Sequence, residues 1–168
     1  MREDVVVRPA LATDAPGIAR LSEPFVADDL LVARSGTQFR NRIGDYLTAV
    51  HDSRVIGCVG LTRLGDDLLL YNLCVAADRQ GLGIGGRMVE RADALAALGG
   101  CRFLLAASKH SGRWFVRHGF TRTEPQHMPA VWADLLPPGR GSHLYRRPVA
   151  PRTAPPAFTP PRQGAERS

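Results

Sequence analysis

Eight residues, Arg79-Gln80-Gly81-Leu82-Gly83-Ile84-Gly85-Gly86, do more than any others to limit the folds open to this chain. They follow an apolar run at residues 68–76 and precede an amphipathic run that reaches residue 98. The first run is nearly continuous in large apolar side chains, the pattern of a strand buried on both faces. The second places Ile84, Met88, Ala92 and Leu95 on one helical stripe, with Arg87, Glu90, Arg91 and Asp93 off it. Strand, glycine loop and helix in that order make an anion site. The first-turn amides of the helix lack an intrahelical acceptor, and the helix dipole adds partial positive charge there. Glycines let the backbone approach a phosphate without a Cβ in the way.

Two familiar phosphate loops do not fit. A P-loop closes on Gly-Lys-Ser/Thr, and this loop closes on Gly85-Gly86-Arg87. Gly81, Gly83 and Gly86 have the dinucleotide spacing, but the loop lies mid-chain and residues 98–101 offer no acid for a ribose.

The remaining segments alternate between strand and helix signals. Residues 5–8 predict a short strand ended by Pro9. Thr13-Asp14 then predicts a helix start, with a stop near residue 21 because Glu23-Pro24 follows. Residues 25–34 read as a loop, and Ser35 or Thr37 is placed to cap a second helix. Residues 46–50 and 55–63 predict a hairpin across His51-Asp52-Ser53-Arg54. After Gly99-Gly100 come a buried strand at 102–106, a short helix at 111–118, a strand at 120–123, a short helix at 130–135 and a closing strand at 142–147. The fold class is therefore α/β, a mixed and largely antiparallel sheet flanked by helices. Residues 1–148 form one domain. Residues 149–168 form a Pro/Arg-rich tail, expected to be disordered because it has too few apolar groups to offset its ordering entropy.

Composition narrows the partners. The formal charge is +6, yet two of those charges lie in the tail, and 21 of the 22 basic residues are Arg, with Lys109 the exception. No nucleic-acid partner is expected on that basis. No run approaches the roughly 20 apolar residues that span a bilayer, so no membrane partner is expected either. Cys58, Cys74 and Cys101 make no CxxC pair and read as buried reduced thiols in a cytoplasmic protein. The five histidines lack metal-ligand spacing, so no metal is expected.

Gln80-Gly81-Leu82-Gly83-Ile84-Gly85 resembles the Q/R-x-x-G-x-G/A motif of the GCN5-related N-acetyltransferases. Val7-Arg8-Pro9-Ala10, Val55-Ile56-Gly57, Leu73-Cys74-Val75 and Trp114-Phe115…Gly119-Phe120 resemble further elements of that family, in order. The resemblance implies a sheet with two strands splayed apart near residues 76 and 106, and acetyl-CoA as co-substrate. Gln80, Gly81, Leu82, Gly83, Ile84 and Gly85 would bind its pyrophosphate. Leu73, Cys74 and Val75 would hold pantetheine and polarise the thioester, with Phe115 in the same site. Many members carry a proton-donating tyrosine at the position of Phe115. The implied mechanism is direct transfer to an amine.

Within the family, the acetyltransferase domains of N-acetylglutamate synthases are most similar. They share the phrases read here as Leu31-Val32-Ala33-Arg34-Ser35, Ile56-Gly57-Cys58, Ser108…Trp114-Phe115 and Arg140-Gly141-Ser142. That likeness implies Arg34, Arg140 and Ser142 as ligands of substrate carboxylates and Ser108 as proton donor to the thiolate. It also exposes a departure: the synthases' general-base glutamate aligns with Leu69. Tyr71, His110 and His127 are the candidate bases, with Tyr71 foremost. The expected acceptor is the amine of an amino acid, glutamate leading. A drug, polyamine or protein N-terminus as acceptor, and a non-catalytic acyl-CoA-binding regulator, stay open. Family members are often dimers, so a homodimer is a prior.

Overall fold

Turn chemistry and apolar alternation set the register of the sheet. In the computed structural model, residues 4–135 and 139–151 are described. The elements are β1 (Val6–Pro9), α1 (Ala15–Ala27), α2 (Gly36–Asn41), β2 (Tyr46–His51), β3 (Arg54–Leu64), β4 (Asp67–Val75) and α3 (Ile84–Leu98). They continue with β5 (Phe103–Ser108), α4 (Gly112–Arg117), β6 (Thr121–Thr123), α5 (Ala130–Leu135) and β7 (His143–Pro148). Asp52 and Ser53 both take left-handed backbone, φ 46 and 63, the two-residue turn whose twist matches a hairpin. Seven strands form one sheet in the order β1-β2-β3-β4-β5-β7-β6. All neighbours pair antiparallel except β4 and β5.

The parallel pair is brief. It runs from Asp67↔Phe103 to Leu69↔Leu105 and stops. Beyond it β4 stays with β3 as far as Gly57↔Val75, while β5 stays with β7 from Phe103↔Pro148 to Ser108↔His143. The sheet is therefore split open from Leu70 onward, as the splay expectation has it. α3 buries Ile84, Met88, Val89, Ala92 and Ala96 with Leu47, Ile56, Val59 and Leu104 of the sheet. Each fully buried large apolar side chain contributes roughly 1.5–3 kcal/mol. A second cluster joins Ala15 and Ile18 of α1 and Phe39 of α2 to Tyr46, Cys58 and Cys74.

Two local expectations change. α1 does not stop near residue 21 but runs through Pro24 to Ala27. Proline removes one helical donor, yet the Asp28 amide still bonds the Pro24 carbonyl, and Leu21 and Phe25 pack against the second cluster. Asp14 precedes α1 but makes no side-chain cap there. Its carboxylate instead accepts from the Leu11 amide at 2.7 Å and from Arg8 Nη1 at 2.6 Å. Ser35 does cap α2, accepting from the Gln38 amide at 3.1 Å.

Burial alone would raise the Asp14 pKa, but the bonds and charge from Arg8 and the Leu11 amide outweigh it and hold the carboxyl below its ordinary value. A depressed carboxyl stabilises the fold above its unfolded value, about 3.9, and that contribution disappears as pH falls through the folded value. Asp14→Asn is expected to cost about 1–3 kcal/mol at pH 7 in urea unfolding. The gap to wild type should shrink on acidification to pH 3; a constant gap contradicts the assignment.

Of the expected tail, Val149 donates its amide to the Arg102 carbonyl at 2.9 Å and packs on the main core, and the Ala150 amide reaches Asp93 Oδ1. Residues 152–168 lie outside the described residues. Among the described residues no helix is long and apolar enough to cross a membrane.

Candidate active site

β4 delivers the glycine loop to the open side of the sheet. After Val75 the chain turns through Ala77–Arg79, and Gln80 folds back so that Nε2 donates to the Val75 carbonyl at 3.0 Å. Gly81 and Gly83 are left-handed, φ 79 and 80, with nothing within 4 Å of a Cβ at either position. Backbone conformation, not crowding, demands glycine there. Gly83 is the N-cap of α3 and supplies no side-chain acceptor; the first helical bond runs from the Arg87 amide to its carbonyl. The intervening amides have no helical acceptor. Gly85 serves closeness instead: its Cβ would stand 2.8 Å from Trp114 Cζ2.

The loop closes one end of a cleft of about 900 Å³. Leu73, Cys74 and Val75 line it from β4, Trp114 and Phe115 from α4, and Gln80, Gly81, Gly83, Ile84 and Gly85 from the loop. Leu82 is not among its lining residues and is 61% exposed. From Leu70 the β4 edge toward β5 has no strand partner, so it presents backbone donors and acceptors to the cleft. An extended amide chain ending in phosphates suits this arrangement.

A second cleft, about 490 Å³, adjoins the first, since Leu30 and Leu31 line both. Arg34, Tyr71, Arg140 and Ser142 face it. Between the clefts β4 bulges: Cys58 pairs with Cys74 and Gly60 with Tyr71, so Val59 alone opposes Asn72 and Leu73. Asn72 adopts φ 52, a conformation asparagine tolerates better than most residues. Its buried amide accepts from Arg34 Nη1 at 3.2 Å and donates to Ser22 Oγ at 3.2 Å. Arg34 also donates to the Val32 carbonyl and lies 5.2 Å over the Tyr71 ring. Arg140 is held by Asp29, Nη2 to the backbone carbonyl at 3.2 Å and Nη1 to Oδ1 at 3.4 Å. Lys109 pairs with the same carboxylate at 2.5 Å.

A family model described as an acetyltransferase (GNAT) domain matches residues 42–122, spanning the bulge, the loop and α4. The chain carries a GNAT acetyltransferase domain. An amino-acid acetyltransferase of Ralstonia nicotianae is 30% identical over 125 residues, covering 73% of this chain and 28% of that protein. An uncharacterized N-acetyltransferase of Chlorobaculum tepidum is 29% identical over 133 residues, 78% of this chain and 85% of the other. The N-acetylglutamate synthase of Neisseria gonorrhoeae, solved with coenzyme A and N-acetylglutamate, superposes with a TM-score of 0.83 at 28% identity. That match covers 89% of this chain and 36% of the synthase. The chain thus spans about a third of the length of the amino-acid acetyltransferases it matches.

Within this GNAT site the sequence-derived residues divide. The loop and β4 residues meet at one cleft, and Arg34, Tyr71, Arg140 and Ser142 meet at the other. Ser108 lines neither; its Oγ accepts from the Ser111 amide at 2.9 Å, at the entry to α4. Tyr71 donates to Asp45 Oδ2 at 3.0 Å. Burial, then the Asp45 charge and bond, push its phenol up to about 12, so it stays protonated near neutrality. Leu69 is buried with Leu105 and Trp132. His110 borders the larger cleft and His127 neither. Sequence reasoning missed Asn72, Asp29 and Tyr145. An asparagine inside an apolar strand run was a usable signal for a bulge. The other two depend on distant segments meeting.

Proposed function

We propose that this chain transfers the acetyl group of acetyl-CoA to the amine of a small carboxylated molecule, with glutamate the leading candidate. The observation that carries the reading is the state of Arg34: a half-buried guanidinium lining the acceptor cleft whose hydrogen-bond partners, Asn72 and the Val32 carbonyl, are both neutral. Its charge is left for a ligand. Nearby, Arg140 and Lys109 share one carboxylate, Asp29. Arg34, Arg42 and Arg140 line this cleft and, among the described residues, no carboxylate does, which suits an acidic acceptor and disfavours a polyamine.

The chemistry follows from the two clefts. Amides of the loop and of the α3 N-terminus would hold the pyrophosphate. Backbone donors that alternate residues of the Leu73–Val75 stretch turn to the open β4 edge would stabilise negative charge on the thioester oxygen during attack. The amine must lose a proton to attack, and Leu69 offers no base. The Tyr71 phenol is suited to relay that proton to the Asp45 carboxylate it already contacts. Arg34, Arg140 and Ser142 would fix the carboxylates and so aim the amine at the thioester.

Comparing glutamate with 4-aminobutyrate and with glutamine tests this reading by thiol release from acetyl-CoA. Loss of either carboxylate is expected to lower kcat/KM at least about tenfold, because a half-buried guanidinium is left without its charged partner. Equal rates on all three would overturn a carboxylate-reading site.

A further inference from the structure

The larger cleft contains a further polar group, the Tyr145 hydroxyl. Tyr145 lies on β7 opposite Ala106 of β5, and only 5% of the residue is exposed. Its ring stacks on Phe115 at 5.6 Å and 16°, and Phe115 in turn meets Trp114 and Phe120 edge-on. This stack fixes the phenol. The hydroxyl lies against Gly112, where a Cβ would collide with it, so glycine at the first residue of α4 makes room for it. Tyr145 lines the cleft together with Leu73, Cys74 and Val75 of the splayed strand. Among the described residues no group is hydrogen-bonded to this hydroxyl. The ring is buried, but the hydroxyl is not among the buried unpartnered atoms and so opens on the cleft, where it can donate to an acceptor atom of a ligand.

Resting on the acetyl-transfer reading, we propose that Tyr145 is a catalytic residue that gives its hydroxyl proton to the departing CoA sulfur. The amine nitrogen bonds to the thioester carbon, and the C–S bond breaks with its electron pair on sulfur. The phenolic proton passes to that sulfur, and the phenolate recovers a proton from the one the amine releases. The products are the N-acetyl compound and CoA thiol. Ser108 is placed less well for this step, since it lies outside the lining of the cleft and its oxygen holds the Ser111 amide.

Tyr145→Phe keeps the stack on Phe115 and removes only the hydroxyl. Its kcat is expected to fall about thirtyfold with KM for acetyl-CoA within about twofold. This is a smaller loss than most general acids give, because a thiolate leaves readily. Ser108→Ala should stay within about threefold of wild-type kcat. A Tyr145→Phe enzyme within threefold of wild type, or a loss that appears in Ser108→Ala instead, overturns the assignment. Titration calorimetry with CoA and with desulfo-CoA gives a second readout that needs no turnover. Wild type should prefer CoA, and Tyr145→Phe should lose that preference; an unchanged preference overturns the contact. A wild type that releases no thiol with any amine contradicts the acetyl-transfer reading alone, and this binding comparison then decides whether Tyr145 meets the sulfur.

Discussion

Gly83→Val is expected to weaken CoA binding about a hundredfold while the chain stays folded. The residue stands at φ 80 with open space around it, so no packing is gained or lost by the added side chain. What changes is the backbone. A β-branched residue in left-handed conformation costs on the order of 1–3 kcal/mol, and the loop relieves that cost by turning. Because Gly83 is the N-cap of α3, the turn carries the first helical amides away from the phosphates they would bind. The strain and the lost charge-assisted bonds together account for the expected hundredfold, about 2.7 kcal/mol. Calorimetric titration with CoA measures it, with circular dichroism to show the helix content retained. Gly44→Ala, at an open position without left-handed backbone, should bind CoA as wild type does. Binding by Gly83→Val within threefold of wild type would remove the loop from the account.

Arg34→Ala should raise KM for a carboxylated acceptor about fiftyfold and change kcat much less. The guanidinium is already oriented by Asn72, Val32 and the Tyr71 ring, so little ordering cost accompanies carboxylate binding. A charge-assisted bond of that kind is worth about 1.5–3 kcal/mol, which brackets fiftyfold. An amine lacking a carboxylate should show KM within about twofold of its wild-type value. Arg34→Lys keeps the charge and loses the fork, so an intermediate KM is expected. Unchanged KM for the carboxylated acceptor contradicts the role given to Arg34.

Much of the fold was legible because its signals are local. The glycine loop, the Asp52-Ser53 turn and the Ser35 cap each declare themselves within a few residues, and the structure has all three. The helix through Pro24 was not legible, because the contacts that carry it past the proline, Leu21 and Phe25 on the second cluster, are tertiary. The site divides the same way. Residues 80–85 lie together in the chain and in space, whereas Arg34, Tyr71, Arg140 and Ser142 converge only through the fold. Tyr145 was invisible for a stronger reason: its meaning depends on stacking against Phe115 and on the gap left by Gly112. Lys109, conspicuous in the sequence as the lone lysine, proves to be joined through Asp29 to Arg140.

The most direct test of the whole account is thiol release by the wild-type chain, supplied with acetyl-CoA and each of the twenty amino acids, with several polyamines alongside. The two-cleft reading predicts release with a carboxylated amine, glutamate first, and none above background with the polyamines. Thermal stabilisation by acetyl-CoA with no thiol released by any amine would contradict it, and would make the chain an acyl-CoA-binding module instead of an enzyme.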